Sequence, residues 1–529
     1  MGYEEEGPDI DSSPVVAGAE HHFDVASIDV VQRRLKQRHV QMYIAGTIGT
    51  GLFLGSGEAL SGAGPVGALI AYALVGTVAY SSLCSIGEMT SHAPISGTFP
   101  HFAARWVDPA LGFAVGWNYF YYVISVPVEI SGAQLLITYW DSNTKHTGIY
   151  TAVIAIAVCA LNVFGVRYFI FSLIKLSMIT GLILMGLIID LGGGPNHQRL
   201  GFQYWKNPGV LAGADLEPNH PSLDKFLGIL NVLVQAAFSF QGMEIVAIAA
   251  SETENPRRNI AKAVRRVFYR ICIFYMLGVF ITGLLVPYND PSLLQTTGTA
   301  AQSPYVIAMT RTGIKVLPSI INAGVMTSAL SAANSFLFCG SRILYGLALR
   351  GQAPRFLAYC TKTGLPIPAI LLSAAFAFLS LMNISSGAAT VFNWFVHLST
   401  VGGFFGWASM NLTYLYFYRG MKHQGIDRKQ LYYWNPLQAT IWGLSWSIIL
   451  ILINGFSVFW DFKASDFLAS YINIPLFFGL YFFWKFFKKT KIWKPEEMDF
   501  VTGIPTVEET EGPIKPPVTV LEKIAAALF

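Results

Sequence analysis

The sequence predicts an all-α membrane protein with twelve transmembrane helices, and three observations carry that reading. Hydrophobic residues make up 53% of the 529-residue chain and charged residues only 12%, about half the charged share of an ordinary soluble domain. Apolar stretches of about 20 residues, long enough to cross a bilayer as a helix, recur along most of the chain. The loops between them are alternately rich and poor in lysine and arginine, as the bias of basic residues toward the inner face requires.

The predicted spans lie near 41–61, 65–87, 111–139, 149–167, 170–191, 228–250, 268–287, 316–347, 368–384, 390–418, 438–460 and 466–487. Residues 1–40 form a polar tail that begins with Glu4, Glu5 and Glu6 and ends with Arg33, Arg34, Lys36 and Arg38. Basic residues beside the first span place that tail in the cytosol. Further basic clusters fall at Arg257, Arg258, Lys262, Arg265, Arg266 and Arg270, at Arg419, Lys422, Arg428 and Lys429, and at Lys485, Lys488, Lys489, Lys491 and Lys494. All lie in loops that a twelve-span count puts on the inner side, and a miscount of one span would invert the pattern. Residues 488–529, rich in Pro, Glu and Thr after Lys494, then form a second cytosolic tail.

Several functions are excluded. A net charge of +4 is too small to argue for nucleic acid. The five cysteines have neither metal-ligand nor disulfide-frame spacing. No nucleophile–base set, phosphate loop or cofactor motif is present, so no enzyme, metal site or cofactor is expected. "GTIGTG" follows no strand, and the dinucleotide reading fails.

That stretch still needs explaining. "AGTIGTGLF" puts Gly46, Gly49 and Gly51, with Thr47 and Thr50, near the middle of the first span. Small residues there serve either close helix packing or a broken helix whose freed amides form a binding site. The sixth span, "QAAFSFQGMEIVAIAASETENP", is also interrupted at mid-depth, by Ser239, Gln241, Gly242 and Glu244. Spans one and six correspond as first members of two five-helix halves, and paired interruptions point to a transporter site. Freed amides attract an anion and freed carbonyls a cation. An α-amino acid satisfies both. Its carboxylate would face the amides of Thr47, Ile48, Gly49, Thr50 and Gly51. Its ammonium would face carbonyls of spans one and six, with Phe238 and Phe240 covering its side chain beside Ser239 and Gly242.

At these residues the chain resembles the fungal amino acid permeases of the amino acid–polyamine–organocation superfamily. The blocks are "LKQRHVQM", "AGTIGTGLFLGSG", "GEMTSHAPISGTFPHFAARWVDPALGFAVGWNY", "ASETENPRRNI", "VLPSIINAGVMTSALSAANSFLF", "SRILYGLALRGQAP" and "VFNWFVHLSTVGG", in order from about Leu35 to Lys494. The resemblance implies a leucine-transporter-like fold with broken helices one and six. Its inverted repeats would span about 41–191 and 228–418, with two extra helices at about 438–487 in a transporter domain of 41–487. It also implies proton-driven uptake at the plasma membrane, with an amino acid, a proton and the bilayer as partners and room for cytosolic regulators on the tails. "SLCSIGEM", "DLGGGPNHQRLGFQYWKNPG" and "VPYNDPSLL" are most similar to the dicarboxylic amino acid permeases, which take glutamate and aspartate. Proline and general amino acid permeases share parts of these blocks. One departure concerns the family's acidic stretch between spans four and five: here "FGVRYF" runs directly into "IFSLIKL".

Individual residues carry competing readings. Glu129 lies about 15 Å from the outer end of span three, where a carboxylate is expensive and marks function by default. It is assigned to proton coupling, against a packed, hydrogen-bonded Glu. Glu244 is either a cap of the restarted helix or a second proton site. Lys175 is either a snorkelling lysine or, as the resemblance implies, a stand-in for a sodium site. Glu252 and Glu254, beside Arg257, form either a solvated loop or an inner gate of breakable ion pairs. Asn334, Ser335, Ser399 and Thr400 serve packing or substrate contact, and His397 reads as a packing residue. Two rival functions compete with transport. A non-transporting amino acid sensor is disfavoured by the short N-terminal tail, and a membrane enzyme by the lack of catalytic groups.

Overall fold

The computed structural model describes residues 50–53, 55–95, 97–141, 143–164, 169–245, 247, 253, 255–294, 303–361, 364–436 and 438–512. Its architecture is all helix. Among the described residues, six helices are long and apolar enough to cross a membrane, and a pair bent by 44° makes a seventh. Shorter apolar helical stretches run through Thr147–Val163, Ser177–Asp190 and Ile273–Leu285.

The first described helix, α1 (Thr50–Phe53), leads into α2 (Gly55–His92). The latter is two helices joined at Gly64, where φ is +74°. Pro65 follows and lacks the N–H that would continue the ladder. The freed Ala63 carbonyl accepts from the Ala212 amide at 3.0 Å, and the Val66 amide donates to the Val210 carbonyl at 3.1 Å. A Cβ on Gly64 would lie 2.7 Å from the Ala212 nitrogen. Only glycine allows both that backbone conformation and that approach. The kink thus separates the predicted first and second spans and ties the loop between spans five and six onto them.

After α3 (Thr98–Trp106), span three is built from α4 (Pro109–Tyr121), a 3-10 turn at Tyr122–Ile124, and α5 (Ser125–Ile137). Asp108 caps α4 by accepting from the Ala110 amide at 2.9 Å. Then come α6 (Thr147–Phe164) and α7 (Phe169–Asp190). The junction at 165–168, between spans four and five, lies outside the described residues. The next helices are α8 (Pro221–Phe240), α9 (Pro256–Leu285), α10 (Leu317–Leu349), α11 (Ile367–Ala377) and α12 (Ala388–His423). The last two spans are α13 (Thr440–Ile453) and the bent pair α14 (Ala464–Tyr471) and α15 (Asn473–Lys488). α2 packs chiefly on α8 and α9, and α5 on α10.

A buried ionic knot fixes the inner end of α2. Glu88, fully buried, accepts from Arg428 Nη2 at 2.6 Å, Tyr414 OH at 2.7 Å and the Asn435 amide at 2.8 Å. Arg428 also donates to the Asn435 carbonyl at 2.7 Å. The loop after α12 is thereby pinned beneath α2. Removing one member of such a pair leaves the other desolvated and unpaired. Arg428→Met, which leaves the fully buried Glu88 carboxylate without its cation, is therefore expected to destabilise the folded protein by about 3–5 kcal/mol, read as a lowered thermal midpoint in detergent, and Glu88→Gln to cost less, because Arg428 is partly exposed and can keep its water.

Candidate functional site

The sixth span does break. α8 ends at Phe240, and Gln241 turns to extended backbone with ψ 149°. Gly242 follows at φ +89°, which favours glycine. The turn then tightens: the Ile245 amide donates to the Gly242 carbonyl at 3.1 Å and the Ala247 amide to the Glu244 carbonyl at 2.9 Å. Freed groups find partners close by. The Ser239 carbonyl accepts from Tyr275 OH of α9 at 2.6 Å, and the Ser239 hydroxyl meets Tyr72 OH of α2 at 3.0 Å. One carbonyl expected to face an ammonium is therefore already engaged.

The first span meets this break. α1 touches α8, α10 and α5 together, so spans one, six, eight and three converge there. A Cβ on Gly51 would stand 3.0 Å from Ser239 Cα and 3.1 Å from Phe238 Cδ1. On the same side, a Cβ on Gly55 would stand 3.6 Å from Gln235 Oε1. Gly51 thus serves close helix approach, and it brings span one against the break. Thr47, Ile48 and Gly49 lie outside the described residues, and Thr50 is described only as helical backbone.

The two phenylalanines part company. Phe240 packs between Tyr72 and Tyr275, with ring centroids at 6.1 and 4.9 Å. Phe238 joins a separate apolar cluster with Ile124, Val128, Phe392 and Phe395. Residues two apart on a helix point to different sides, so the pair does not cover one ligand. Ser335 is buried and donates to the Ser331 carbonyl of its own helix at 3.0 Å. Ser399 and Thr400 likewise donate back to Val396, at 3.1 and 2.6 Å. Asn334 accepts from Asn162 of α6 at 3.2 Å.

The three titratable residues assigned to proton coupling are all buried. Glu129 on α5 and Lys175 on α7 are both buried, and the Lys175 ammonium lies within electrostatic reach of the Glu129 carboxylate. Glu244, also buried, accepts from Tyr119 OH at 3.2 Å. The sequence reading missed Tyr72, Tyr119 and Tyr275. The available signal was tyrosine at mid-span rather than in an interfacial belt, since a buried phenol requires a partner.

Glu252 and Glu254 lie outside the described residues. Arg257 donates to the His92 carbonyl of α2 at 3.3 Å and also bonds the chain's own C-terminal segment. Its guanidinium donates to Thr510 Oγ1 at 2.6 Å and to the Pro505 carbonyl at 2.6 Å, and its amide donates to Glu511 at 2.8 Å. The segment expected as a tail is folded against the basic face. The Trp493 amide donates to the Val107 carbonyl at 2.8 Å. Arg105 pairs with Asp499 at 2.9 Å, and Trp106 Nε1 donates to the Asp499 carbonyl at 3.0 Å. Phe500 is buried and stacks on Trp106 at 5.7 Å. Val507–Thr510 closes the strap as a single helical turn with a full capping box between Thr506 and Glu509.

Burial pushes the Asp499 carboxyl up, but Arg105 and the Val501 and Thr502 amides outweigh it and hold it below the usual carboxylate range. A depressed carboxylate stabilises above its unfolded pKa, and the gain is lost as pH falls through the folded value. Strap docking should thus persist from neutral pH down to the ordinary carboxylate range and weaken only below it. Asp499→Asn should expose residues 493–512 to limited proteolysis at neutral pH. Unchanged protection would show that the ion pair does not hold the strap.

A family model described as amino acid permease matches residues 39–496. The dicarboxylic amino acid permease of Saccharomyces cerevisiae is 40% identical over 92% of this chain and 82% of its own length. Proline-specific permeases of S. cerevisiae and Emericella nidulans are each 38% identical, over 98% and 89% of this chain and 86% and 88% of theirs. A manganese transporter from Eremococcus coleocola shares the fold at 13% identity, with a TM-score of 0.54 over 90% of this chain and 98% of the transporter.

Proposed function

The chain belongs to the amino acid permease family, whose members are transporters and not enzymes, and on that premise we propose that it is a proton-coupled symporter importing amino acids across the plasma membrane. The observation that carries the reading is the break at Gln241–Glu244, at the end of a helix packed against span one. We read the repeats at about 41–191 and 228–418, with both termini cytosolic. The shared fold with the manganese transporter supports that arrangement.

In this reading the α-carboxylate sits on amides of Thr47 to Gly51 and the ammonium on acceptors of span six. The substrate's own charges replace the water that a helix break would otherwise need. Glu129 takes the proton. Lys175 lies within electrostatic reach of it, so that a proton gained or lost by these two residues changes the local balance by one charge. Inward movement of that charge gains about 2.3 kcal/mol per 100 mV, which sustains accumulation. Glu129→Gln should abolish concentrative, pH-driven uptake while sparing exchange of labelled for unlabelled substrate. Retained accumulation with unaltered pH dependence would make Glu129 structural.

For the substrate we favour glutamate and aspartate, supported by the 40% identity to a dicarboxylic amino acid permease. A second carboxylate in a low-dielectric site requires a partner or a proton. The proton route requires glutamate uptake to rise more steeply with external acidity than uptake of a neutral amino acid. One observation favours a second reading, a proline or general permease. Glu58 is exposed on α2 and accepts from Gln235 of α8, so a carboxylate stands one turn from Ser239, where a dicarboxylate would be repelled. Uptake of all twenty labelled amino acids, in cells stripped of their own permeases, tests both. Competition by excess glutamate supports the first reading. Competition by proline but not glutamate replaces it with the second.

A further inference from the structure

Gln241 occupies the break of span six in an unusual way. Its side chain is buried and does not point along its own helix. It crosses to α12 and donates from Nε2 to the Thr400 carbonyl at 2.8 Å. The crossing is possible because α12 carries two glycines side by side, Gly402 and Gly403. A Cβ on Gly403 would lie 2.2 Å from Gln241 Nε2, 2.5 Å from its Cδ and 3.0 Å from its Cγ. The three nearest neighbours of that missing Cβ all belong to Gln241, so the amide lies flat in a notch that glycine alone leaves open. The notch is braced from its other side. Asn118 of α4 donates to the Gly402 carbonyl at 2.9 Å, and Asn118 accepts from Asn473 of α15 at 2.7 Å.

The bond to Thr400 also fixes which end of the amide is which. Thr400 offers a carbonyl, so nitrogen must face it, and the Gln241 carbonyl oxygen points the other way. That oxygen is buried and has no hydrogen-bond partner among the described residues. An orphaned buried acceptor is costly and rare in a finished fold. It is reasonable only where a donor arrives from outside the chain. Here it stands at the first non-helical residue of the break, where the proposed ammonium would lie.

We propose that Gln241 binds the substrate: its amide nitrogen is anchored on Thr400 through the Gly402–Gly403 notch, and its carbonyl oxygen accepts a hydrogen bond from the α-ammonium group. The proposal rests on the amino acid reading above and adds a side-chain ligand to it. It is independent of substrate side chain, because every α-amino acid, proline included, carries that donor.

The test is uptake of labelled glutamate and labelled proline by wild type, Gln241→Met, Gly403→Ala and the double variant, each corrected for surface delivery. Gln241→Met keeps the volume and removes the acceptor. Gly403→Ala keeps the glutamine and pushes its amide out of the notch. Each single variant should raise KM about tenfold, the scale of one hydrogen bond to a charged group, for whichever substrate the wild type takes. Vmax should hold within about twofold. The double variant should be no worse than Gln241→Met, because the two changes remove one interaction. Competition by the N-acetylated amino acid supplies a readout that a packing role would not move: the preference for the free amine over the acetylated form should shrink by the same factor in Gln241→Met. Wild-type KM in Gln241→Met, additive losses in the double variant, or an undiminished preference for the free amine would each overturn the proposal. Wild type that takes up no amino acid would instead overturn the function on which it rests.

Discussion

An interrupted helix inside a bilayer leaves backbone donors and acceptors with no water to receive them, and the chemistry of this protein depends on how that debt is met at Gln241. Each unsatisfied group in hydrocarbon costs several kcal/mol. The break is therefore stable only where other helices supply partners. Tyr275 takes the Ser239 carbonyl and Tyr72 the Ser239 hydroxyl. Gly242 provides a backbone geometry that lets the chain restart within one turn. A bend satisfied by α2 and α9 cannot move without them, so the break is a positioned feature and not a loose one. What remains unmet at Gln241 is its carbonyl oxygen, which has no partner among the described residues and is the acceptor that the proposed ammonium would use.

The same accounting explains the opposite ends of the bundle. At Gly64–Pro65 the helix loses its ladder and the 210–212 loop replaces it. At the basic face, the ends of α2, α3 and α9 are covered by residues 493–511, which accept from Arg105, Trp106 and Arg257 largely through backbone carbonyls. Guanidinium groups suit this role, because one Arg can satisfy several carbonyls at once.

Much of the fold was legible because apolar length and basic-loop bias are local signals. The break in span six could be read for the same reason: Ser239, Gln241, Gly242 and Glu244 are adjacent in sequence. What could not be read depended on distance along the chain. Residues 493–511 are polar and Pro/Glu-rich, the composition of a tail, and are held by residues distant in the sequence, Arg105, His92, Arg257 and Gln424 among them. Spacing sets Arg257 beside Glu252 and Glu254, which lie outside the described residues, but gives no hint of its bonds to residues 505–511 and to the His92 carbonyl. The pairing of Phe238 with Phe240 could have been rejected from helical geometry alone, since neighbours two apart diverge. Gly403 offered no signal beyond a doubled glycine. Its meaning appears only when Gln241 is laid across it.

Two helices connect the site to the strap, and their stiffness matters. α2 carries Tyr72 at the break and Glu88 and His92 at the basic face, and His92 Nε2 meets the Phe500 carbonyl at 3.1 Å. α9 carries Tyr275 at the break and Arg257 at its start. From Tyr72 to His92 is about 30 Å of helix, and from Arg257 to Tyr275 about 27 Å. A helix of that length transmits a tilt and does not absorb it, unless a kink intervenes. Between these residues neither helix contains proline, and the only non-helical position in α2 is Gly64, outside the stretch. Any transport cycle that tilts α2 or α9 relative to α3 must therefore strain the bonds from His92 and Arg257 to the strap. The strap either travels with these two helices, breaking its pairs with Arg105 and Trp106 of α3, or stays on α3 and releases His92 and Arg257. The first route costs the Arg105–Asp499 ion pair and the Trp106 stack. The second exposes Arg257, which is buried in the docked state, and frees Glu511 from its amide. Each route releases one buried guanidinium, Arg105 or Arg257, and each breaks a ring contact of Phe500, on Trp106 or on His92. The strap therefore ties the movement of α2 and α9 to that of α3.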